Sequence, residues 1–503
     1  MKKFFEIFAL AAVVVALGSC DDFLNKLPAD AIGTGSELSA SDAQALVNSA
    51  YQPLQWPKFY NMRIWSTDIV AGNSEVGAGG GNDGIETVQL AAFTTDASNG
   101  AATDLWRGTP GILRANLALQ ELQKVEVMDE DLRSRLMGEC YFLRAHYYFL
   151  LVRFFGDVPL RTRPLYAGDN LNAPRTPKAE VYEQIIDDTK NAIRLLPYKA
   201  EYDAQNLGRA CKEAAETMLA KVYLTLGENY DEVVDLCQDI ENQGYDLSKM
   251  AYADNWYNPD TGILNKNGAE SLFEIQYTGD PAAATNWLSD NDNQSQWLNC
   301  FMAPRSSVAP MVGGGGYGWQ HVNKEFVDSY EAGDLRKDYT IFYAGCPPFD
   351  GIDYDPTLST TGYNVRKWCV PISICDKVDN CPANIVVYRF ADVLLMKAEA
   401  LNEQKLTSQA QTPLNAVRRR AGLGNVTTTD YKTMKECIIH ERRMELAFEG
   451  HRWFDMIRID DGDYAVKFLH SIGRTAATKE RLLYPVPQVE IDSNPLITQN
   501  PGY

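Results

Sequence analysis

The chain has 503 residues, of which 45% are hydrophobic and 11% aromatic, so it is long and apolar enough to bury a large core. Its formal net charge of −20 excludes binding to nucleic acid or an anionic surface by charge, and favours neutral or cationic ligands. Because no proline- and serine-rich linker or low-complexity run divides the chain, we expect one continuous body.

The first residues have the pattern of a lipoprotein signal. Two lysines precede an apolar stretch, Phe4–Leu17, which ends in Leu17-Gly18-Ser19-Cys20. We predict a signal peptide over residues 1–19, lipidation of Cys20 and a tether over residues 20–40, so that lipid anchors the protein. The alternatives are an ordinary secretory signal with an incidental cysteine, or a buried first helix. No later segment is long and apolar enough to span a bilayer.

The next segments change from a helical pattern to a glycine-rich one. A helix is expected to begin near Ser41, its candidate cap, and to continue into residues 45–54. Trp65–Thr103 is polar and rich in glycine, which predicts a long loop. Within it, residues 79–84 fit the G-x-G-x-x-G pattern of nucleotide-binding turns. No apolar strand precedes them and no helical pattern follows, so a surface loop is the favoured interpretation.

Helical periodicity returns at Trp106 and continues, with breaks, to residue 242. Four apolar residues between Ile112 and Leu122 share one helical face. A second helix is expected through Leu132–Phe155 and ends at Gly156, because glycine leaves a helix and the proline that follows blocks its continuation. Residues 180–196 and 210–242 add further helices.

Two segments have the order of small, aromatic and glycine residues that is typical of tetratricopeptide hairpins. The clearer one is Met218–Ile240, and the weaker one spans Ala398–Val417. A hairpin of this kind leaves one apolar side uncovered, so neighbouring hairpins must stack on it. We therefore predict a mostly α fold, a tetratricopeptide-like helical repeat scaffold of about four pairs over residues 41–243 and 385–503.

The scaffold is interrupted by a loop-rich insert, residues 244–384, where helical periodicity fades. Met250–Ala253 and Ser271–Tyr277 are predicted as short strands. The insert carries aromatic residues among glycine, asparagine and aspartate: Trp256, Trp287, Trp297, Tyr317, Trp319 and Trp368. Such rings suit sugars, whose C–H faces pack on them while the hydroxyls need polar partners. For any single tryptophan, a place in the core is the simpler interpretation.

Nine cysteines remain after Cys20, and four of them cluster in the insert: Cys346, Cys369, Cys375 and Cys381. Free thiols are the favoured interpretation, and a disulfide within this cluster is the open alternative. No C-x-x-C or cysteine–histidine spacing indicates zinc, so we expect no metal and no cofactor.

Charged residues crowd the stretch Glu441–Arg458, ERRMELAFEGHRWFDMIR. Apolar residues at seven-residue spacing predict a helix from about residue 433 with an interruption at Gly450. Opposite charges three or four residues apart predict local ion pairs: Arg442/Glu445, Glu449/Arg452, His451/Asp455 and Asp455/Arg458.

We interpret these charges as a structural ion-pair network, with Glu441, Arg442, Glu445, Arg452 and Asp455 as its main members. The catalytic alternative is a carboxylate pair with a histidine. Glu441 and Glu445 lie one turn apart on one helix, whereas glycosidase carboxylates face each other across a substrate. We therefore expect no catalytic residues and no enzyme activity.

The same stretch resembles the C-terminal hallmark of the SusD/RagB family of Bacteroidetes outer-membrane nutrient-binding lipoproteins. Together with the lipoprotein start, further segments extend the resemblance over essentially the whole chain: Gly138–Leu160, Val387–Glu403, Leu414–Leu423 and Tyr484–Tyr503. The resemblance implies a single SusD-like domain over residues 41–503, built as a helical scaffold with the insert described above.

The resemblance also implies a function. Family members are cell-surface lipoproteins of the outer membrane that bind glycan for nutrient uptake and polysaccharide utilisation, and deliver it to a SusC-like TonB-dependent transporter. We accordingly expect a glycan ligand, a transporter partner and no nucleic acid. The alternatives are a helical-repeat adaptor, marked by a concave repeat face with exposed side chains, and a secreted glycoside hydrolase, which would release products from glycans.

The ligand site is predicted where the Trp65–Asn73 loop meets the insert. Stacking on sugar rings is assigned to Trp65, Trp297, Tyr317 and Trp319, and hydrogen bonding to hydroxyl groups to Asp68, Asn73 and Arg366. These residues are aromatic or hydrogen-bonding side chains on irregular segments, and family members present sugars to comparable loops.

Overall fold

The computed structural model describes residues 38–64, 66–77, 83–106, 108–280, 294–305, 312 and 315–503. The predicted signal peptide, most of the tether, Cys20, Trp65 and Trp287 lie outside these residues. None of the described helices combines the length and the apolar character needed to cross a bilayer.

The fold is mostly α, as predicted, and its short strands lie mainly between the two helical parts of the chain. The helices are α1 Ala40–Gln55, α2 Thr67–Val70, α3 Ile85–Ala92, α4 Gly100–Trp106, α5 Thr109–Leu122, α6 Glu130–Phe155, α7 Lys178–Leu195, α8 Lys212–Leu226, α9 Tyr230–Asn242, α10 Leu298–Met302, α11 Lys324–Asp328, α12 Lys337–Thr340, α13 Phe390–Glu403, α14 Thr407–Arg420, α15 Tyr431–Glu445, α16 Arg452–Arg458, α17 Asp463–Ser471 and α18 Gln488–Ser493. The strands are β1 Ser74–Val76, β2 Tyr257–Asn258, β3 Ile263–Leu264, β4 Ser271–Ile275, β5 Gln320–Val322, β6 Ile341–Phe342, β7 Asn364–Val365 and β8 Ile385–Arg389.

The long helices stack in one continuous series. Helix α1 packs on α5, α5 on α6, α6 on α7, α7 on α8, α8 on α9, α9 on α13 and α13 on α14. Within the described residues they therefore form four pairs, α1/α5, α6/α7, α8/α9 and α13/α14, as the repeat pattern predicts. The turn between α8 and α9 needs Gly227, whose φ of +72° is unfavourable for residues with a side chain.

Helix α6 is the central element of this scaffold. The Asp129 side chain caps its start by accepting a hydrogen bond from the Leu132 amide at 2.9 Å, and Gly156 ends it at φ 71°. Every residue from Phe142 to Phe155 is buried, so this half of the helix is enclosed on all sides. The core of the molecule is consequently built around α6.

The strands form three small antiparallel sheets that join the insert to the scaffold. The largest has the order β1-β5-β7-β6, with Glu75 opposite His321 and Ile341 opposite Val365. Strand β4 pairs with β8, which leads directly into α13, and β2 pairs with β3. The predicted strand over Ser271–Tyr277 is thus present as β4.

Three predictions of local structure are wrong. The described part of Trp65–Thr103 is not a loop, because it contains α2, β1, α3 and α4, and α3 begins directly after Gly84. These elements are short and held by tertiary contacts, so they leave little periodicity. The cap of α1 is Ser39, whose hydroxyl accepts from the Asp42 amide at 3.2 Å. Met250–Ala253 is not a strand and runs into a 3₁₀ turn, Tyr252–Asn255.

Candidate functional site

A cavity of about 390 Å³ lies where the N-terminal segment meets the insert. It is lined by Met62, Arg63, Asp83, Gly84, Ile85, Glu86, Phe301, Tyr317 and Trp319. Three of these side chains are aromatic and three are charged, and the volume falls within the range of small-ligand sites. The cavity therefore combines the two kinds of surface that a sugar requires.

The aromatic part of the cavity is a cluster of Phe301, Tyr317 and Trp319, here called the aromatic shelf. The ring centroid of Phe301 lies 4.9 Å from that of Trp319 and 5.7 Å from that of Tyr317, with interplanar angles of 33° and 36°. Backbone hydrogen bonds hold the same residues: the Tyr317 amide donates to the Cys300 carbonyl at 2.7 Å and the Trp319 amide to the Phe301 carbonyl at 2.8 Å. Helix α10 thus fixes the rings before any ligand arrives.

The charged part of the cavity comes from two other segments. Arg63 lies in a buried π-helical turn, Tyr60–Ile64, and its guanidinium is oriented by Asp104, whose carboxylate accepts from Nε at 2.8 Å and lies 2.7 Å from Nη2. Such turns are frequent at functional sites. Asp83, just before α3, is exposed, and Glu86, in the first turn of α3, is partly exposed. These groups can donate to and accept from sugar hydroxyls.

The structure places the predicted aromatic residues at different depths. Tyr317 and Trp319 are partly exposed and line the cavity. Trp297 is only 3% exposed and stacks on Phe301 at 6.0 Å, so it lies behind the shelf and is not part of the cavity lining. Trp65 lies outside the described residues.

Asp68 and Asn73 are buried away from the cavity, where they fasten the interruption between α15 and α16. The Asp68 carboxylate accepts from Asn73 Nδ2 at 2.8 Å and from the amides of Phe448 and Gly450 at 3.2 and 3.3 Å. Burial raises the pKa of Asp68 to about 6, despite these hydrogen bonds. Asn73 Oδ1 accepts from Arg443 Nε at 2.9 Å. Their internal hydrogen bonds contradict the predicted contact with ligand.

Arg366 is also committed to the protein interior. Its guanidinium donates to the carbonyls of Pro347 and Pro348 at 2.6 and 3.2 Å and lies 5.2 Å from the ring centroid of Phe342. The side chain is only 3% exposed. Arg366 therefore holds a loop of the insert, and the prediction that it binds sugar hydroxyls is contradicted.

The charged stretch at the C-terminus is a second candidate, but its carboxylates are bonded to buried arginines. Glu441 pairs with Arg336 and Arg418 at 2.6 and 2.9 Å, and Glu445 with Arg336 and Arg389 at 2.9 and 2.5 Å and with Arg420. Burial opposes the charge of Glu445, but Arg420, Arg389 and Arg336 outweigh burial and hold its pKa below the usual value. A carboxylate held in this way is a poor proton acceptor at neutral pH.

The pairing is mainly between distant segments and not between neighbouring turns as predicted. Arg442 lies 3.0 Å from Asp455 and 2.9 Å from Asp392, and not beside Glu445. Arg452 donates to the Tyr464 hydroxyl at 2.8 Å. Glu449 pairs with Arg389 and with Lys367, each at 2.8 Å. Among the four predicted local pairs, the described residues form Asp455–Arg458, at 2.9 Å. Helices α15 and α16 bury most of their charged side chains against other elements, and those elements provide closer partners than the next turn of the same helix does.

Most residues of the cavity were absent from the sequence-based site. Phe301 lies four residues after Trp297 and so shares its helical face, a signal that points to a neighbouring ring. Asp83 lies within the glycine-rich stretch, residues 79–84, that was interpreted as a surface loop, and Glu86 lies two residues after it. For Arg63 the sequence contains no such signal, since its position follows from the π-helical turn.

Residues 245–503 match the SusD family, and residues 22–224 match a family described as starch-binding and associating with the outer membrane. The chain belongs to the SusD family. Its aromatic shelf lies in the first matched segment and Arg63, Asp83 and Glu86 lie in the second, so the cavity forms at the junction of the two.

Relatives of the chain cover most of its length. SusD-like protein P2 of Formosa agariphila is 27% identical over 100% of both chains. A solved laminarin-binding SusD-like protein is 29% identical, with a TM-score of 0.77 over 92% of this chain and 99% of the other. Surface glycan-binding protein A of Bacteroides thetaiotaomicron, solved in complex with laminarihexaose, is 23% identical and shares the fold, with a TM-score of 0.76 over 92% of this chain and 99% of that one.

Proposed function

We propose that this SusD-family protein binds glycan in the cavity beside the aromatic shelf and passes it to a TonB-dependent outer-membrane transporter. The observation that carries the proposal is the juxtaposition of Tyr317 and Trp319 with Arg63, Asp83 and Glu86 around about 390 Å³. The binding of laminarin by a relative that is 29% identical supports the same ligand class.

The chemistry of the cavity suits a carbohydrate better than an apolar ligand. The partly exposed faces of Tyr317 and Trp319 offer stacking surface for the C–H face of a sugar ring. The guanidinium of Arg63 and the carboxylates of Asp83 and Glu86 supply the donors and acceptors for hydroxyl groups. Because each stacked ring and each hydrogen bond contributes on the order of 1 kcal/mol, we expect affinities in the micromolar to millimolar range.

The proposed role is capture without catalysis. Glycoside hydrolysis needs two carboxylates that flank the scissile bond, one of them with a raised pKa. Asp83 and Glu86 lie three residues apart where one short helix begins, and Glu441 and Glu445 are paired with arginines. Incubation of the protein with a glycan panel should therefore release no products, and product formation would favour a hydrolase.

Titration calorimetry with laminarihexaose and with a panel of other neutral oligosaccharides tests the ligand. We expect binding by the wild-type protein and at least a tenfold loss in the Tyr317→Ala/Trp319→Ala double variant, because the stacking surface is removed. Arg366→Ala, a substitution at a buried residue outside the cavity, should keep the affinity of the molecules that remain folded. Full affinity in the double variant would place the glycan elsewhere.

Delivery of the ligand requires attachment to the outer membrane and a transporter partner. We propose that the lipid on Cys20 supplies the attachment, since the lipobox ends at that cysteine. Cys20→Ala should give a folded protein that no longer fractionates with the outer membrane in cells that lack the transporter. Retention of the variant in that fraction would contradict the anchor.

A second surface favours a protein partner. A cavity of about 410 Å³, lined largely by apolar residues such as Trp106, Ile112 and Leu151, opens between α5, α6 and the C-terminal segment. Large apolar side chains are exposed at or beside its mouth: Leu113, Leu171, Val489 and Leu496. Exposed apolar patches of this kind commonly mark protein interfaces, and we propose that this one contacts the transporter.

Purification of the tagged protein from native membranes tests the partner. We expect a large β-barrel protein to co-purify, and a Leu171→Asp/Val489→Asp variant to lose it while keeping its glycan affinity. Recovery of the wild-type protein without a barrel would count against delivery. Recovery of the barrel with the variant would move the interface to another surface.

A further inference from the structure

Cys375 and Cys381 lie at the two ends of one short loop of the insert. All nine cysteines of the described residues are free thiols, and these two hydrogen-bond to each other through their side chains. Both are completely buried and pack together with Val370 and Ala383. The two sulfur atoms are therefore already neighbours in the folded protein.

Asn380 gives the loop the shape that brings its ends together. Its Nδ2 donates to Asp376 at 2.6 Å, and its Oδ1 accepts from the Lys377 amide at 3.1 Å. The Cys375 thiol donates to the Lys377 carbonyl at 3.0 Å. The hydrogen bond from Cys381 lowers the pKa of the Cys375 thiol, whereas burial raises that of Cys381, so Cys375 is the better nucleophile.

We propose that Cys375 and Cys381 form a disulfide as the protein folds outside the reducing cytoplasm. The thiolate of Cys375 attacks one sulfur of a disulfide oxidant, such as oxidised glutathione or an oxidase of the same chemistry, and expels one thiolate. Cys381 then loses its proton and attacks the Cys375 sulfur of this mixed disulfide, which expels the second. The protein loses two protons and two electrons, and the oxidant becomes two thiols.

The disulfide braces the segment that carries the aromatic shelf. The backbone of Cys381 bonds on both sides to the residues before α10: its amide donates to Ser295 Oγ and its carbonyl accepts from the Gln296 amide, both at 3.0 Å. Asn299, within α10, donates from Nδ2 towards Cys375 Sγ at 3.6 Å and accepts from the Val370 amide at 2.7 Å. The loop is thus bonded to the helix that supports Phe301 and Tyr317.

Two consequences of the proposal are separable. The existence of the disulfide depends only on the thiol pair. Its effect on ligand affinity rests on the proposed glycan function, because it acts through α10 on the shelf.

Peptide mapping tests the bond directly. The full-length protein is purified from outer membranes without reductant, unfolded, alkylated and digested with trypsin, which cuts after Lys367, Lys377 and Arg389. We expect peptides 368–377 and 378–389 to be linked by a disulfide that fragments at Cys375, with Cys369 alkylated. Alkylation of both Cys375 and Cys381, in this sample and after refolding with oxidised glutathione, would overturn the proposal.

Variants provide a second measurement that does not depend on glycan. Reductant should lower the melting temperature of the wild type, and Cys375→Ser, Cys381→Ser and the double variant should share that lower value and ignore reductant. Cys369→Ser, a change at another buried thiol of the insert, should keep the response. A melting temperature of the wild type that reductant does not change would contradict the bond. Reduced protein should also bind laminarihexaose a few-fold more weakly, and a stable disulfide without this change would limit the bond to a structural role.

Discussion

Two regions of the molecule are rich in side chains that bind ligands in other proteins: the charged cluster around Glu441 and Glu445, and the cavity around Trp319. In the charged cluster Glu441 and Glu445 each meet at least two arginines, and their side chains are 0% exposed. At the cavity Asp83 is exposed, and Glu86 and two of the three shelf rings are partly exposed. Whether a charged side chain is already bonded inside the protein is therefore a better indicator of ligand binding than the local density of charged residues.

The same comparison has an energetic side. A buried ion pair contributes little net stability relative to an apolar pair, but removal of one partner leaves an uncompensated charge in the interior. An exposed charge at a cavity rim costs little to remove because water replaces its partner. Substitutions in the two regions should therefore differ in what they change: stability in the charged cluster, and ligand affinity at the cavity.

The largest effect is expected for Glu445→Ala. The substitution leaves Arg336, Arg389 and Arg420 without a shared carboxylate, so the free energy of unfolding should fall by about 3–5 kcal/mol, as measured by urea denaturation. Glu436→Ala removes an exposed carboxylate from the same helix, α15, and should change stability by less than about 0.5 kcal/mol. Equal effects of the two substitutions would remove the distinction between buried and exposed charge.

A pair of tryptophan substitutions sharpens the boundary of the cavity. Trp297→Ala should lower the free energy of unfolding by about 3–5 kcal/mol, because the ring is only 3% exposed and packs behind Phe301. Trp319→Ala should cost clearly less stability and weaken glycan binding instead. Unfolding curves and calorimetry on both variants measure this. Loss of affinity without loss of stability in Trp297→Ala would return Trp297 to the binding site.

The helical scaffold was predictable because its signals are local. Short runs of neighbouring residues determine where its helices end. Examples are the turn at Gly227, the end of α6 at Gly156 and the interruption at Gly450. Gly450 has a φ of +79°, and a Cβ there would lie 2.7 Å from the side chain of Ile64, so both backbone and packing require glycine. The repeat order of α8 and α9 likewise follows from adjacent residues.

The site was only partly predictable, because the burial of each side chain depends on tertiary contacts. Trp297 and Trp319 have similar polar surroundings in the sequence. In the structure, Trp297 is buried at the start of α10, whereas Trp319, just before β5, lies beside the cavity. Asp68 and Arg366 were assigned to loops, where ligand-binding residues often lie, but the structure bonds both to main-chain groups of other segments. No spacing rule indicates whether a polar side chain on a loop faces solvent or another loop.

A smaller and pH-dependent effect is expected from Asp68. Burial raises its pKa to about 6, above the roughly 3.9 of an aspartate in the unfolded chain. Between these values the folded state binds more protons than the unfolded state, so the contribution of Asp68 to stability falls as the pH rises from about 4 to about 6.

Across that window the wild type should lose on the order of 2–3 kcal/mol relative to Asp68→Asn, whose amide does not titrate. Urea denaturation at a series of pH values measures the difference, and the shared histidines cancel in the comparison. Asp235→Asn, at an exposed position of α9, should keep the wild-type profile. Parallel profiles for wild type and Asp68→Asn would mean that Asp68 is solvated, and would reopen its role in ligand binding.

The smallest effect is expected at the rim of the cavity, for Glu86→Gln. The substitution keeps the shape of the side chain and replaces one acceptor with a donor, so affinity for a neutral glycan should change by less than about tenfold, or 1.4 kcal/mol. Stability should stay within about 0.5 kcal/mol of the wild type because Glu86 is partly exposed and the substitution keeps its shape. Calorimetry with laminarihexaose at low and high salt checks the change, with Glu436→Gln, an exposed residue of α15, as the matched control. A small change in Glu86→Gln beside no change in Glu436→Gln would assign the carboxylate to the glycan site. Identical affinities in both variants would leave binding to the aromatic shelf and Arg63, and the rim of α3 would then lie outside the contact.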